Sequence, residues 1–164
     1  LSGGTYSRSS GNELKDGDLV LIELSTCVDG YWSDLTRTAG VGSIDQGKRD
    51  LLNAVRQAQK KAIEAVRPGV SHESVYAAAR ESFVSKGLAE GFPHNCGHQV
   101  GFRYHDRGPT LFPGQTDPLR TGMVLTVEPG TYGAAYGGGA RFEDDIAVRM
   151  DGADIMSPID LQPV

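Results

Sequence analysis

Apolar and polar positions in the first quarter of the chain follow the pattern of a β-hairpin. Residues 18–26 are dense in branched apolar side chains, and residues 31–41 follow as the predicted second strand. Between them lies Asp29-Gly30, a pair that is favoured in two-residue turns because both positions there need a positive φ. The pattern therefore predicts an antiparallel hairpin.

The predicted hairpin fixes which side chains face one another. If Asp29 and Gly30 are the two loop residues, pairing outward from the turn places Glu23 opposite Thr36. Asp34, two residues from Thr36, shares its face. Diagonal neighbours of this kind lie about 7–8 Å apart at the backbone, so Glu23 and Asp34 are predicted to lie within reach of one shared ion or ion pair.

Two amphipathic helices are predicted after the hairpin. Residues 43–66 carry apolar side chains at three- and four-residue steps with basic side chains between them, and Arg67-Pro68-Gly69 ends the run. Ser71 is the predicted N-cap of a second helix that continues through Lys86 and stops at Gly87. Helices between strand regions indicate an α+β fold in which helices cover a sheet.

The last third of the chain predicts short strands separated by glycine-rich connections. We expect strands at residues 123–128 and 141–149 and a short last strand near residues 154–156. Residues 108–122, rich in proline and glycine, predict a long loop. Residues 133–139, with three consecutive glycines, predict a flexible connection.

Length and composition limit the classes of function. A chain of 164 residues predicts one domain, and a formal net charge of −5 gives no reason to expect nucleic acid or a membrane as partner. Two cysteines, Cys27 and Cys96, are too few for a disulfide framework, so we expect a reducing, cytoplasmic location. Because the chain starts with Leu1 in a polar, glycine-rich stretch, we interpret residues 1–164 as a piece of a longer polypeptide.

The candidate chemistry centres on residues 94–105, which hold three of the four histidines of the chain. Lone carboxylates occur on both sides of this stretch, within or at the ends of apolar, strand-like runs. Imidazole and carboxylate together form the ligand set of Mn, Zn, Co or Fe rather than of softer ions. The histidines are His94, His98 and His105, and the carboxylates are Glu23, Asp34, Glu128 and Glu143.

Salt bridges are the alternative explanation for these carboxylates. A carboxylate in a buried strand costs several kcal/mol unless it is paired or binds a metal. Arg141 is the candidate partner for either Glu128 or Glu143. Four such acids beside a histidine cluster favour the metal centre.

The histidines also have simpler interpretations. His98 could be a neutral imidazole of the core, and His105 an exposed loop residue or one whose tautomer is fixed by the neighbouring Asp106. His94, Cys96 and His98, at every second position, could form a zinc site on one strand face. A single run of five residues rarely supplies three ligands with tetrahedral directions, so the zinc site is the weaker interpretation.

Five motifs follow one another along the chain: DGDLVLIE at residues 16–23, YWSDLTRT at 31–38, HNCGHQVG at 94–101 with His105-Asp106, GMVLTVEPGTY at 122–132 and RFEDDIAV at 141–148. In this order they resemble the motifs of the pita-bread metallopeptidases. Within that family the RFEDD form and the extra His94 are more similar to aminopeptidase P and prolidase, which act on Xaa-Pro bonds. The resemblance implies an α+β pita-bread fold, a curved antiparallel sheet covered by helices. It also implies that residues 1–164 are the carboxy-terminal portion of a catalytic domain.

The same resemblance implies two divalent metal ions, usually Mn, Co or Zn, and assigns roles to residues. Two metals would activate a water and polarise the scissile carbonyl. Glu128 would shuttle a proton, His94 and His105 would orient the substrate and stabilise the intermediate, and Arg141 would hold a ligand carboxylate. The implied metal ligands are Asp34, His98, Glu128 and Glu143, with Glu23 at the place of a fifth.

Three features depart from the family pattern. Glu23 stands where the family has an aspartate ligand, and its extra methylene moves the carboxylate by more than an ångström. Tyr6 stands where the family has a histidine. The family also has helix and strand upstream that this chain does not match.

These departures leave more than one interpretation of the function. The first is a metal-dependent Xaa-Pro peptidase that acts on proline-containing peptides, completed by an upstream fragment of the same polypeptide and assembled as a homo-oligomer. The second is a pseudoenzyme that recognises a peptide or protein with impaired metal binding. An unrelated single-zinc hydrolase is a third and weaker interpretation.

Overall fold

The computed structural model describes residues 11–159, and the predicted hairpin is its first element. Strands β1 (Leu19–Val28) and β2 (Tyr31–Gly40) pair antiparallel, with Glu23 opposite Thr36 as predicted. Asp29 and Gly30 have φ values of 52° and 86° and form the turn. The hairpin and its register are confirmed, whereas the prediction about Tyr6 lies outside the described residues.

Both predicted helices are present and start at capping side chains. Helix α1 (Gln46–Ala65) begins three residues later than predicted because the Asp45 carboxylate accepts a hydrogen bond from the Lys48 backbone N–H at 2.9 Å. Helix α2 (His72–Val84) begins after Ser71, the predicted N-cap, and ends two residues before the predicted boundary.

Five further strands follow an irregular stretch that contains the long loop predicted at residues 108–122. Strand β3 pairs with β6, and β6 with β7, while β4 and β5 pair with each other, all antiparallel. A backbone hydrogen bond from Glu143 N–H to Thr36 O at 3.0 Å joins the hairpin to this region. The strands are β3 (Val124–Val127), β4 (Gly130–Gly133), β5 (Gly138–Arg141), β6 (Asp144–Arg149) and β7 (Gly152–Ile155).

Two predictions about the last third of the chain are wrong. Residues 133–139, expected as a flexible connection, hold the end of β4, a short 3₁₀ turn (Ala134–Tyr136) and the start of β5. Gly139 pairs with Tyr132 across this hairpin, and the missing side chain leaves room for the tyrosine ring. The single strand expected at residues 141–149 is instead interrupted between β5 and β6, where the chain turns from one sheet to another.

Helix α1 packs against the strands and α2 packs against α1, and both helices share one apolar core with the strands. Alternate residues of β6 point into this core, whereas Asp145, on the opposite side of the strand, points toward β2. Within the described range, no helix is long and apolar enough to cross a membrane. The core includes Val55, Ala58 and Ala62 of α1, Val75, Ala79 and Phe83 of α2, and Leu125, Val127, Ile146 and Val148 of the sheet.

Within residues 11–159, the outward face of β1 is exposed. Ile22, Leu24 and Val28 are 50%, 60% and 65% exposed, although they lie in one strand and point to the same side. An apolar strand face of this kind is unusual on a soluble domain unless another segment covers it.

Candidate metal centre

His98 is fixed beside β3 by its backbone. Its carbonyl accepts a hydrogen bond from the Thr126 N–H at 2.8 Å, and its own N–H donates to Thr126 Oγ1 at 3.1 Å. A Cβ added at Gly97 would collide with the carbonyl oxygen of Thr126. The glycine of the histidine motif is therefore required for the close approach that brings His98 into the centre.

The protonation of the His98 ring follows from its contacts. Nδ1 lies 3.1 Å from the Gln99 carbonyl oxygen, which can only accept, so Nδ1 carries the hydrogen. Burial lowers the pKa of His98 to about 4, so the ring is neutral near pH 7 and Nε2 holds a lone pair. This buried Nε2 has no hydrogen-bond partner among residues 11–159.

Carboxylates surround this lone pair. Nε2 of His98 lies 3.4 Å from Oε1 of Glu128 and 3.9 Å from Oδ2 of Asp34. Ligand atoms lie within 4.8 Å of one another in two groups that share His98: one with Asp34 and His105, and one with Glu128 and Glu143. Ionised carboxylates and a neutral imidazole nitrogen are all acceptors, and a cation is what satisfies such a set.

The pKa values of these carboxyl groups are raised because the groups are buried close together. Burial raises the pKa of Asp34, and it raises the pKa of Glu143 to about 8 with the Asp34 charge adding to the effect. Burial also raises the pKa of Glu128 well above its ordinary value, with Glu143 as the next cause. In the absence of a cation these groups keep their protons to a higher pH than free carboxyl groups do, and a divalent ion would displace those protons.

Neighbouring groups orient two of these carboxylates. The Ser25 hydroxyl donates to Oδ1 of Asp34 at 3.0 Å, and the Asp34 backbone N–H donates to the Asp145 carboxylate at 3.1 Å. The Thr36 hydroxyl donates to Oε2 of Glu143 at 2.5 Å. Such contacts fix the direction in which a ligand oxygen points.

Glu23 lies in neither ligand group. Its carboxylate forms an ion pair with the Arg141 guanidinium, which also donates to the Tyr132 hydroxyl at 2.8 Å and to Thr36 Oγ1 at 3.3 Å. Nε of Arg141 lies 3.8 Å from Oε2 of Glu128. Arg141 therefore contacts Glu23 more closely than either acid that the sequence gave it as a partner.

His94 also lies outside both groups. Its Nδ1 is 2.6 Å from the Asn95 carbonyl oxygen and so carries the hydrogen, which leaves Nε2 to accept a hydrogen bond from the Tyr132 hydroxyl at 3.1 Å. Burial lowers the pKa of His94, so this neutral tautomer is favoured. The His94 ring is thereby connected to Arg141 through Tyr132.

The alternative zinc site is contradicted by this arrangement. His94, Cys96 and His98 do not lie in a strand, and the three are not brought together as ligands in the described part of the chain. Cys96 is fully buried in the apolar core, where burial raises the pKa of its thiol well above the ordinary value.

His105 lies at the exposed edge of the centre. Its ring stacks on that of His98 with 3.6 Å between centroids. Asp106, which was expected to fix its tautomer, instead accepts a hydrogen bond from the Phe102 backbone N–H at 3.0 Å. His105 is thus the histidine of the centre that solvent reaches.

Several supporting residues were not identified from the sequence. Asp145 could have been identified, because it is a further acid in an apolar, strand-like run. Thr36 was predicted only as the cross-strand neighbour of Glu23. Ser25 and Tyr132 gave no signal, because their contacts depend on how separate strands meet.

Comparison with known proteins identifies the family of this chain. Residues 4–150 match the profile of metallopeptidase family M24. The chain is 37% identical over 145 residues to the Xaa-Pro dipeptidase of Pyrococcus furiosus, a match that covers 88% of this chain and 41% of that protein. The chain therefore spans about two fifths of the length of the curated relatives it matches.

Solved structures show the same fold. The prolidase from Pyrococcus furiosus superposes with a TM-score of 0.92 at 34% identity, covering 98% of this chain and 47% of that one. Dipeptidase PepE from Mycobacterium ulcerans superposes with a TM-score of 0.91 at 36% identity, covering 98% and 43%. The chain belongs to metallopeptidase family M24 and has the pita-bread fold of these proteins.

Proposed function

We propose that this chain forms part of a metal-dependent peptidase that hydrolyses Xaa-Pro bonds at a centre built for two divalent ions. The observation that carries the proposal is the buried Nε2 of His98, a lone pair without a hydrogen-bond partner among the described residues, surrounded by carboxylates. The relative named Xaa-Pro dipeptidase supports the choice of substrate.

The donor set fits Mn, Co or Zn. One imidazole nitrogen with several carboxylate oxygens is the borderline-to-hard ligand set that these ions prefer. The ions would supply Lewis acidity at the scissile carbonyl and lower the pKa of a nearby water. The proposed ligands are Asp34, His98, Glu128 and Glu143.

The side chain of Glu23 affects how tightly the proposed centre can bind its second metal ion. Glu23 stands at the place of a fifth ligand, and its contact with Arg141 competes with binding a metal. We therefore expect the ion nearest Glu128 and Glu143 to bind more tightly than the ion nearest Asp34.

The remaining catalytic roles are assigned to side chains of the protein. As a metal ligand Glu128 would be ionised, and its carboxylate could accept a proton from water and pass it to the leaving amine. His105, which is exposed, is placed to donate a hydrogen bond to a substrate oxygen. His94 and Arg141 act together through Tyr132, which holds the rim of the site in one geometry.

A protein that only recognises peptides is less well supported. Without a metal, the buried carboxyl groups around His98 would have to stay protonated far above the ordinary pKa of a carboxyl, and the protein would lose stability as they ionise. Such a cluster is costly to retain in a domain that has no use for a cation.

We further propose that an upstream segment of the same polypeptide covers β1. The exposed apolar side chains of Ile22, Leu24 and Val28 support this proposal, because they give such a segment a surface to pack against.

The proposed activity is tested by metal depletion and restoration on the complete protein. Removal of metal with a chelator should abolish hydrolysis of an Xaa-Pro dipeptide, and Mn or Co should restore it. Elemental analysis should find about two ions per complete catalytic domain, as expected for a two-metal centre. A protein that stays metal-free after incubation with Mn, Co and Zn would contradict the proposal.

A further inference from the structure

A buried ion pair lies one residue along the chain from Thr36 and from Glu143. Arg37 of β2 donates to Oδ1 of Asp144, the first residue of β6, at 2.5 Å, and each residue is only 8% exposed. Neighbouring residues of a strand point to opposite faces, so this pair lies behind the proposed metal ligands rather than among them. A buried ion pair often adds no more stability than apolar side chains of the same size would, so stability alone does not explain it.

Arg37 spans the joint between the hairpin and the segment that carries Glu143. A backbone hydrogen bond from the Glu143 N–H to the Thr36 carbonyl at 3.0 Å forms this joint. Nη1 of Arg37 donates to the carbonyl oxygens on both sides of it, those of Thr36 and Glu143. Nε and Nη2 also donate to the carbonyl oxygens of Ile159 and Ser157. Together with the bond to the carboxylate, every N–H of the guanidinium has an acceptor, so the joint is held firmly.

Asp144 connects this arginine to helix α1. Oδ2 of Asp144 accepts a hydrogen bond from Nε2 of Gln59 at 2.9 Å, and the same Nε2 donates to the carbonyl oxygen of Val127 at 3.2 Å. Gln59 is 8% exposed and lies within α1, and Val127 directly precedes Glu128. The helix therefore holds both the carboxylate that pairs with the arginine and the backbone beside Glu128.

We propose that Arg37, Asp144 and Gln59 form a polar clamp that sets the spacing between the two sides of the metal centre. The hairpin carries Asp34, whereas the segment on the other side of the joint carries Glu143. Metal–ligand distances tolerate changes of only about 0.2 Å, so a small shift of one side against the other would weaken a two-metal site. The inference rests on the proposed function, because the ligands that the clamp positions are the proposed ones.

Amide hydrogen exchange in the complete, metal-free protein tests the clamp itself. Asp144→Asn removes the charge opposite Arg37, so the Glu143 N–H should exchange about 10-fold faster or more, while amides in the middle of α1, which open only with the whole domain, change much less. NMR measures both. Equal acceleration at Glu143 and in α1, or none at Glu143, would overturn the proposal.

A matched control comes from an exposed ion pair of the same sheet. Arg149 and Asp154 pair at 2.9 Å with both side chains 55% exposed. Asp154→Asn is the same chemical change as Asp144→Asn, and it should leave both the exchange of the Glu143 N–H and the affinity for Mn unchanged. An effect as large as that of Asp144→Asn would contradict a role specific to the clamp.

A double variant separates positioning from stability. Arg37→Met combined with Asp144→Leu replaces the ion pair by apolar side chains, a change that often leaves a protein equally or more stable. The variant cannot donate to the carbonyls at the joint, so its affinity for Mn should fall by about 10- to 100-fold without a matching loss of thermal stability. Gln59→Met, which leaves the ion pair intact, should give a smaller loss of the same kind. Affinity equal to that of the wild type in both variants would overturn the proposal.

Electron paramagnetic resonance of the Mn-loaded complete protein reports whether two ions are held close together. Two Mn ions about 3.5–4 Å apart couple magnetically, and we expect this coupled signal in the wild type. In the double variant the signal of isolated Mn should increase at equal Mn content, whereas an unchanged coupled signal would contradict positioning by the clamp. If the wild type binds no Mn, the proposed function fails, and the amide exchange of the metal-free protein still decides whether the clamp holds the joint.

Discussion

Nε2 of His98 lies 3.4 Å from Oε1 of Glu128, and when Glu128 is ionised neither atom has a hydrogen to donate. Both atoms are held in place by the fold, since backbone hydrogen bonds join residues 96–98 to the β3 region on one side of the centre. The proposed metal would satisfy both atoms, because a cation accepts a lone pair from each of them.

Replacing His98 should remove the metal without unfolding the protein. His98→Ala takes away one ligand shared by both groups, so we expect metal affinity to fall by at least 100-fold. His94→Ala is the matched control, because His94 contacts Tyr132 and lies outside the ligand groups. Equilibrium dialysis with Mn, followed by elemental analysis, measures both variants. Equal metal loss in the two would contradict the assignment of His98 as a ligand.

Shortening Glu23 should strengthen the weaker metal position. In Glu23→Asp the carboxylate is drawn back by one methylene from Arg141, toward the position that the family's aspartate occupies. We expect a gain in Mn bound near Asp34, detected as a second binding event in calorimetry. Glu23→Gln keeps the length but not the charge and should show no such gain. If Glu23→Asp binds Mn as the wild type does, the glutamate is not what limits the site.

Removing the Thr36 hydroxyl should loosen Glu143. Thr36→Val deletes the hydrogen bond to Oε2 of Glu143 and the acceptor for Arg141, and loss of such an orienting contact typically weakens metal binding by about 10- to 100-fold. Thr36→Ser restores the hydroxyl and should recover most of the affinity. Equal affinity in the valine and serine variants would show that the hydrogen bond does not orient the ligand.

The metal-free protein should lose stability as pH rises from about 6.5 to about 8. The pKa of Glu143 is raised by burial to about 8, so its protonated form contributes stability that is present below the ordinary pKa and is lost as pH rises through 8. The pKa of His98 is lowered to about 4, so His98 makes stability increase as pH rises from about 4 to its ordinary pKa of 6.5. Above that pH it contributes little to the slope. Thermal unfolding at several pH values measures the slope.

Two comparisons complete the pH experiment. A glutamine at this position cannot titrate, so Glu143→Gln should reduce the slope between these pH values and leave only the contribution of Glu128, whose pKa burial also raises. Saturating Mn should also flatten it, since the metal displaces the proton from the carboxyl group. A metal-free wild type whose melting temperature rises over this range would contradict the sign of the predicted shift.

Local sequence signals predicted the parts of the fold that depend on near neighbours. The Asp29-Gly30 turn determined the whole register of the first hairpin, and Ser71 marked the start of α2. The interruption after Arg141 was not predictable in this way, because the strand-like pattern continues through it while the chain changes sheets.

At the metal centre, too, contacts between neighbouring strands were predictable and contacts between distant segments were not. The register correctly placed Glu23 opposite Thr36, but it carried no information about a competing cation. Arg141 lies on a strand far along the chain, and only the docking of the hairpin onto that strand brings it to Glu23. Likewise, the contact of His94 with Tyr132 joins a loop to β4, so the sequence gave the residue but not its partner. The metal-binding and catalytic roles themselves remain predictions.

The most direct measurement of the central claim is an anomalous diffraction map of the complete protein crystallised with Mn, recorded on both sides of the Mn absorption edge. We expect a peak about 2.0–2.3 Å from Nε2 of His98, the distance expected for a metal–imidazole bond, with carboxylate oxygens of Glu128 and Glu143 also in contact. A map without a peak at His98, or with peaks only elsewhere in the molecule, would contradict it.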